Sequence, residues 1–240
     1  MTADRVGAGG EREREFRQVV PRPPWARPGG PAPWAGPGLV VDRPLPLAAV
    51  RAALENSLPG TTVEEGGRKP TAAVLMALFE AGGDTQLLFI RRSHRMSRNP
   101  GEIAFPGGRI DPGEEPLQAA LREADEEIGL APGDVEVLGR LELIERPRAP
   151  VAIVPFVGVL GEPPHLRPNP DEVDGVITVP VARLLTDGVY WEELWNPTGV
   201  APIPIPFFSD AELLGEDLIW GASARMLTEL LTGISQAAHA

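Results

Sequence analysis

No cysteine occurs among the 240 residues, which excludes disulfides, thiolate zinc sites and a cysteine nucleophile. Long apolar runs are also missing. The longest, Thr71–Phe79 and Val151–Leu160, are far too short to span a bilayer, so no membrane role is expected. Positive charge is scarce: 22 Lys and Arg stand against 34 Asp and Glu, for a net charge of −12. That balance argues against a nucleic-acid polymer as partner. It leaves a nucleotide substrate open, because a local basic patch can sit inside an acidic molecule. The N-terminus is charged and lacks an apolar stretch of the secretory kind, so a cytoplasmic protein is expected.

The chain is long enough to bury one sizeable core with length left for an appendage. Residues 1–44 read as that appendage, and 45–240 as the domain. Arg and Glu alternate from Glu11 to Arg17, and the following RPPWARPGGPAPWAGPG is too rich in Pro and Gly for a helix or a central strand. Disorder is expected for the initial residues. Trp25 and Trp34 are large apolar groups that unstructured linkers seldom carry, so an extended arm docking both tryptophans on the domain or on a partner subunit is expected.

Within the domain, Pro46–Leu58 reads as a short helix with Leu47, Val50 and Leu54 on one face. Thr71–Phe79 and Gln86–Arg91 read as a hairpin about Gly82-Gly83-Asp84. Ile103–Phe105 alternates as a short strand that Pro106-Gly107-Gly108 turns, and Arg109–Glu115 reads as a polar loop. Val135–Ile144, Val151–Leu160 and Gly175–Val179 are strand-like. The prolines of Pro202–Phe208 keep that segment out of a central strand. Val181–Leu185 and Ser223–Leu231 read as helices. This interleaving indicates α/β or α+β.

The chemistry concentrates in FPGGRIDPGEEPLQAALREADEEIGL, residues 105–130. Leu117, Ala120, Leu121, Ala124 and Ile128 recur at helical spacing and form a buried stripe. Glu123, Glu126 and Glu127 share a different face. Like charges so close destabilise a helix unless a cation sits among them, and a hard divalent cation such as Mg²⁺ or Mn²⁺ takes oxygen ligands. Gly107 lets the backbone approach a ligand and leaves a carbonyl free for metal. Gly129 ends the helix as a C-cap would.

Gly108, five residues, Glu114, seven residues and then Arg122-Glu123-Ala124-Asp125-Glu126-Glu127-Ile128-Gly129-Leu130 resembles the full Nudix box. That resemblance implies a Nudix-type α/β/α sandwich with a mixed central sheet. It implies hydrolysis of a diphosphate linked to another group, with Mg²⁺ or Mn²⁺ on Glu123, Glu126 and Glu127. It also implies a general base, Glu126 or a glutamate from the NPDEV segment at 169–173: Glu172 first, Asp171 second. Family members often dimerise, so a homodimer is expected.

Arg91, Arg92, His94, Arg95 and Arg98 crowd in just before Gly101 and FPGG. Arginine offers paired donors to phosphate oxygens, so Arg92, His94 and Arg98, with Arg109 beyond the glycines, are the candidate phosphate contacts. Arg146 and Arg148 are further candidates. The same stretch is similar to the signature of the coenzyme A pyrophosphatase branch: Arg92-Ser93, Gly101 and Phe105-Pro106-Gly107-Gly108 fit. Ser97 stands where the signature has its second arginine, with Arg98 one place later, and Phe89-Ile90 replaces its Thr-containing pair. Ile219-Trp220-Gly221-Ala222 before the last helix is also similar to that branch. The resemblance implies coenzyme A or a derivative as substrate. Other nucleoside diphosphate derivatives, and a non-catalytic binding module, remain the alternatives.

Overall fold

A computed structural model describes residues 18, 20–35, 44–55, 57–63, 69–145, 151–196, 199 and 201–237. The initial residues expected to be disordered, and Arg146 and Arg148, lie outside them. In chain order the elements are β1 (Arg27–Pro28), α1 (Leu47–Glu55), β2 (Ala72–Ala81), β3 (Asp84–Arg92), β4 (Ile103–Ala104), β5 (Gly107–Arg109), α2 (Pro116–Ile128), β6 (Val135–Arg140), β7 (Ile144–Glu145), β8 (Ala152–Leu160), β9 (Val173–Pro180), α3 (Val181–Leu184), β10 (Tyr190–Trp195), β11 (Ile203–Phe208), β12 (Ile219–Trp220) and α4 (Gly221–Ala237). No helix among the described residues is long and apolar enough to cross a membrane.

The larger sheet runs β4-β3-β2-β8-β6, with β5, β7 and β9 attached to β2, β8 and β3. β2 and β8 are parallel and the other pairs antiparallel, so the sheet is mixed. Its centre is covered on both sides, which is why β2 and β8 read as nearly continuous apolar runs. Successive side chains still alternate between faces. Val74, Met76 and Leu78 of β2 join one cluster with α1 and α4, through Val50, Leu54, Leu227 and Leu230. Ala73, Leu75, Ala77 and Phe79 join a second cluster with Ala119, Ala120, Ala124 and Ile128 of α2. The layers are therefore helix, sheet, helix. Gly82 and Gly83 both adopt positive φ, 64° and 80°, and make the tight β2–β3 turn, where the expected hairpin forms.

Three local expectations need correction. Gly107-Gly108 does not turn the chain away. It continues as β5, with Val74 opposite Gly107 and Ala73 opposite Gly108, because the edge of β2 is open there. Val135–Ile144 is not one strand: it breaks after Arg140 and resumes at Ile144. The proline-containing segment does form a strand inside a sheet. A second sheet, in the order β1-β10-β11-β12, places β11 between two neighbours. Pro204 and Pro206 are paired with β10, whereas β12 reaches only Phe207 and Phe208. The prolines thus sit where β11 has one neighbour, the position that tolerates a missing N–H.

Residues of the expected arm build part of this second sheet. Arg27 and Pro28 pair with Leu194 and Glu193, and Arg22 forms a 2.6 Å ion pair with Glu193. Trp34 is buried, with its ring 5.3 Å from Tyr190 and 6.2 Å from Phe208. Trp25 remains 58% exposed, so only one tryptophan docks on the domain. We expect Trp34→Ala to destabilise the protein by about 3–5 kcal/mol, the range for emptying a buried aromatic site. We expect Trp25→Ala to stay within about 0.5 kcal/mol, as exposed substitutions do. Urea unfolding of the two variants compares them directly, and similar midpoints would contradict the packing described.

Candidate active site

Helix α2 begins at Pro116, whose ring suits a first helical position, and the Glu115 N–H donates to Gln118 Oε1 at 3.4 Å. It ends at Gly129, with φ 69°, which donates back to Ala124 and Asp125, as expected of a C-cap. The next loop satisfies further carbonyls of the last turn: Arg167 N–H donates to Ile128 O at 2.7 Å, and Asn169 N–H to Glu127 O at 2.8 Å. Asn169 O in turn accepts from Glu172 and Val173, and Ser93 N–H donates to Glu172 O. These bonds carry Glu172 to the carboxylates of α2, where its charge acts on both Glu123 and Glu127.

The three helix glutamates differ sharply. Glu126 is 56% exposed at its side chain, Glu123 18% and Glu127 3%. Glu127 therefore belongs to the buried side of α2, beside Ala124 and Ile128, and not to the polar face expected for it. Its Oε2 accepts the Gly107 N–H at 2.9 Å, and Arg92 lies 3.8 Å from its Oε1. Burial pushes its carboxyl up to about 8, repulsion from Glu123 and Glu172 adds to the rise, and the Gly107 N–H and Arg92 oppose it. Burial also raises Glu123, against the pull of Arg122.

The glycines make this geometry possible. Gly107 has φ +150°, and a Cβ there would collide with the Ala73 carbonyl and Val74. A Cβ on Gly108 would collide with the Glu123 carboxylate, which rests against the bare backbone.

Arg122 organises the rest. It donates to both oxygens of Glu114 at 2.8 and 3.1 Å, to Glu123 at 3.2 Å, to Glu126 at 3.0 Å and to the Arg109 carbonyl at 3.1 Å. Among the described residues no three His, Asp or Glu side chains are already gathered as a metal cage, and Arg122 holds two of the expected ligands. The donor chemistry nonetheless fits a hard divalent ion. Glu123, Glu126, Glu127 and Glu172 supply oxygens only, and among the described residues the partners of Arg122 are Glu114, Glu123, Glu126 and the Arg109 carbonyl.

The side chains of the basic segment go to different partners. Arg92, largely buried, faces the site. Arg91 pairs with Asp217, and Arg95 with Asp171 at 3.1 Å. His94 is fastened to Asp174, its backbone N–H donating at 3.0 Å and its Nε2 lying 3.5 Å away. Arg98 and the side chain of Arg109 are exposed; Arg109 contributes its carbonyl to Arg122. Asp171 is turned outward with Arg95. A carboxylate partner that lets Arg122 position the helix is expected from the sequence; two features escaped it, the identity of Glu114 as that partner and the wall formed by Trp220–Ser223 next to Gly107 and Gly108. The first has a signal in the fixed Glu114–Arg122 spacing, and the second in the Trp-Gly junction that opens α4.

A family model described as NUDIX domain matches residues 68–197. Mitochondrial coenzyme A diphosphatase NUDT8 of Homo sapiens is 35% identical over 176 residues, covering 72% of this chain and 72% of that protein. Peroxisomal coenzyme A diphosphatase NUDT7 of Mus musculus is 38% identical over 128 residues, covering 53% of this chain and 54% of that protein. Among solved structures, a MutT/nudix family protein from Enterococcus faecalis aligns with a TM-score of 0.47 at 18% identity, covering 82% of this chain and 81% of that one. With the domain match spanning more than half of the sequence and the box glutamates brought against Gly107 and Gly108, this chain belongs to the Nudix hydrolase family.

Proposed function

We propose that this Nudix hydrolase is a diphosphatase dependent on Mg²⁺ or Mn²⁺. It cuts the diphosphate of coenzyme A or a derivative to give 4′-phosphopantetheine and adenosine 3′,5′-bisphosphate. The observation that carries the reading is the seating of Glu123 against Gly108 and of Glu127 against Gly107, with Arg92 3.8 Å from Glu127 and the charge of Glu172 acting on both carboxylates. The two coenzyme A diphosphatases named above support the substrate.

A diphosphate hydrolyses slowly because its anionic groups repel a nucleophile. A divalent cation on Glu123, Glu126, Glu127 and the Gly107 carbonyl would supply charge neutralisation and a bound water of lowered pKa. Glu126, the most exposed of the helix glutamates and partnered by Arg122 at 3.0 Å, is one candidate base for the attacking water. Glu172, delivered by its own loop, is the other candidate base. Arg92 balances the charge that builds on the leaving phosphate. Arg122 positions Glu123 and Glu126 and does not touch substrate. Ser97 in place of an arginine, together with Arg91 and Arg95 engaged by Asp217 and Asp171, favours a second reading: another nucleoside diphosphate derivative. A panel of diphosphate substrates, with the broken bond identified from the products, decides between the two.

Glu127→Gln tests the central carboxylate in two ways. We expect kcat to fall by roughly 10²–10⁴, the scale of one electrostatic or acid–base element; near-normal turnover with saturating Mg²⁺ would remove Glu127 from the reaction. The second readout is stability without metal. The wild-type carboxyl moves from an ordinary 4.5 to about 8 on folding. As pH rises the unfolded chain releases this proton first, so wild-type stability declines between those values. Glutamine has no such proton. The melting temperature of Glu127→Gln relative to wild type should therefore climb from about pH 4.5 to about pH 8 and then level; a difference that does not change with pH contradicts the buried charge.

Arg98 is exposed, and among the described residues no ion pair occupies it. Arg98→Ala should raise KM for coenzyme A by about tenfold, the scale of one charge-assisted contact, and change KM for dephospho-coenzyme A much less. Equal effects would reject a role in reading the 3′-phosphate.

A further inference from the structure

A cavity of about 170 Å³ lies between β5 and the first turn of α4, walled by Arg92, Glu102, Gly107, Gly108, Trp220 and Ser223. The C-terminal wall falls beyond the family match at 68–197. It belongs to the second sheet: Trp220 pairs with Phe207, and Gly221, at φ +64°, then turns the chain into α4.

Four buried side-chain atoms among the described residues lack a hydrogen-bond partner, and two of them, Arg92 Nε and Trp220 Nε1, belong to residues lining this one cavity. Both are donors and cannot accept. The neighbouring indoles are different: Trp191 Nε1 and Trp195 Nε1 donate to Glu193 at 3.4 and 2.9 Å. A buried N–H without an acceptor costs stability, so two of them on residues that line one cavity point to a ligand that brings acceptor oxygens. The volume is below the roughly 300–1,000 Å³ of pockets that take a whole drug-sized ligand, so only part of a substrate enters. The cavity adjoins the carboxylates, because Gly107 and Arg92 serve both.

We propose that Trp220 Nε1 and Arg92 Nε together bind an anionic oxygen of a substrate phosphoryl group, which makes Trp220 a substrate-binding residue supplied by the C-terminal end of the chain. The proposal rests on the diphosphatase reading above.

Trp220→Phe removes the N–H and keeps the aromatic bulk. In ¹⁵N spectra of the wild type, we expect the indole signal that Trp220→Phe lacks to move downfield on titration with methylenediphosphonate and Mg²⁺, while the Trp191 and Trp195 signals stay. The variant should melt at the wild-type temperature, since no internal hydrogen bond is lost. It should bind the diphosphonate about tenfold more weakly, the scale of one charged hydrogen bond. Should Trp220→Phe not fold, triple-resonance assignment of the native chain identifies the signal. An unmoved signal at saturating diphosphonate overturns the proposal, as does a variant that binds normally, with or without a lower melting temperature. A signal moved by pantetheine and not by the diphosphonate overturns the phosphoryl assignment. If the signal moves and the variant binds weakly while coenzyme A is not cut, the substrate reading fails and the role of Trp220 stands.

Discussion

A carboxylate buried against hydrocarbon is among the costliest groups a fold can hold unless it is paired, and Glu127, 2% exposed, imposes that constraint on everything around it. One oxygen accepts the Gly107 N–H, so the backbone of β5 must come right up to α2. Only glycine permits that approach, because a side chain at Gly107 would strike β2 and one at Gly108 would strike Glu123. The helix must lie close to the sheet as well. Its inner surface carries Ala119, Ala120 and Ala124, all fully buried, where larger residues would lift it. Small residues beneath the helix and bare backbone beside it thus accompany one buried carboxyl group.

Charge elsewhere is arranged to leave that carboxylate poorly compensated. Arg122, the nearest strong cation on the helix, is spent on Glu114, Glu123, Glu126 and the Arg109 carbonyl. Arg91 and Arg95 are drawn to Asp217 and Asp171. Among the described residues Arg92 is the cation paired with Glu127, at 3.8 Å, and that is a long contact. The arrangement leaves Glu123, Glu127 and Glu172 repelling one another, which favours the arrival of positive charge far more than a self-neutralised cluster would.

The strands β2, β3 and β8 at the centre of the sheet were readable because each is long and carries an apolar run, and the glycine pair between β2 and β3 marks a turn that few other residues can make. Helix α2 was readable from its spacing, and its C-cap from Gly129. The burial of Glu127 was not, since a helical projection places it at the margin of the Ala120–Ala124–Ile128 stripe. Which side of a margin is buried depends on what packs there, in this case β5. The fate of Gly107-Gly108 depended in the same way on an open edge of β2, which no local pattern reveals. The second sheet was hidden because its strands are short, carry prolines, and join residues as far apart as Arg27 and Leu194. The basic run divides: Arg92 lies beside Glu127, Arg98 is exposed, and the acids of neighbouring loops hold Arg91, His94 and Arg95, which closeness in sequence does not reveal.

That second sheet also explains how the C-terminal end is held at the site. Trp34 from the arm packs on Tyr190 and Phe208, Trp191 stacks on Phe207 at 5.2 Å, and the Arg22 guanidinium lies over the same Phe207 ring at 5.7 Å. Phe207 and Phe208 are the residues that pair with Trp220 and Ile219. An aromatic hub assembled from both ends of the chain therefore fixes the register of the short strand that delivers Trp220, and α4 leaves that strand with Leu227, Leu230 and Leu231 locked under the central sheet. A two-residue strand alone could not hold a wall of a binding cavity steady. Anchored between this hub and the core, it can, and the arm becomes part of the support for the site.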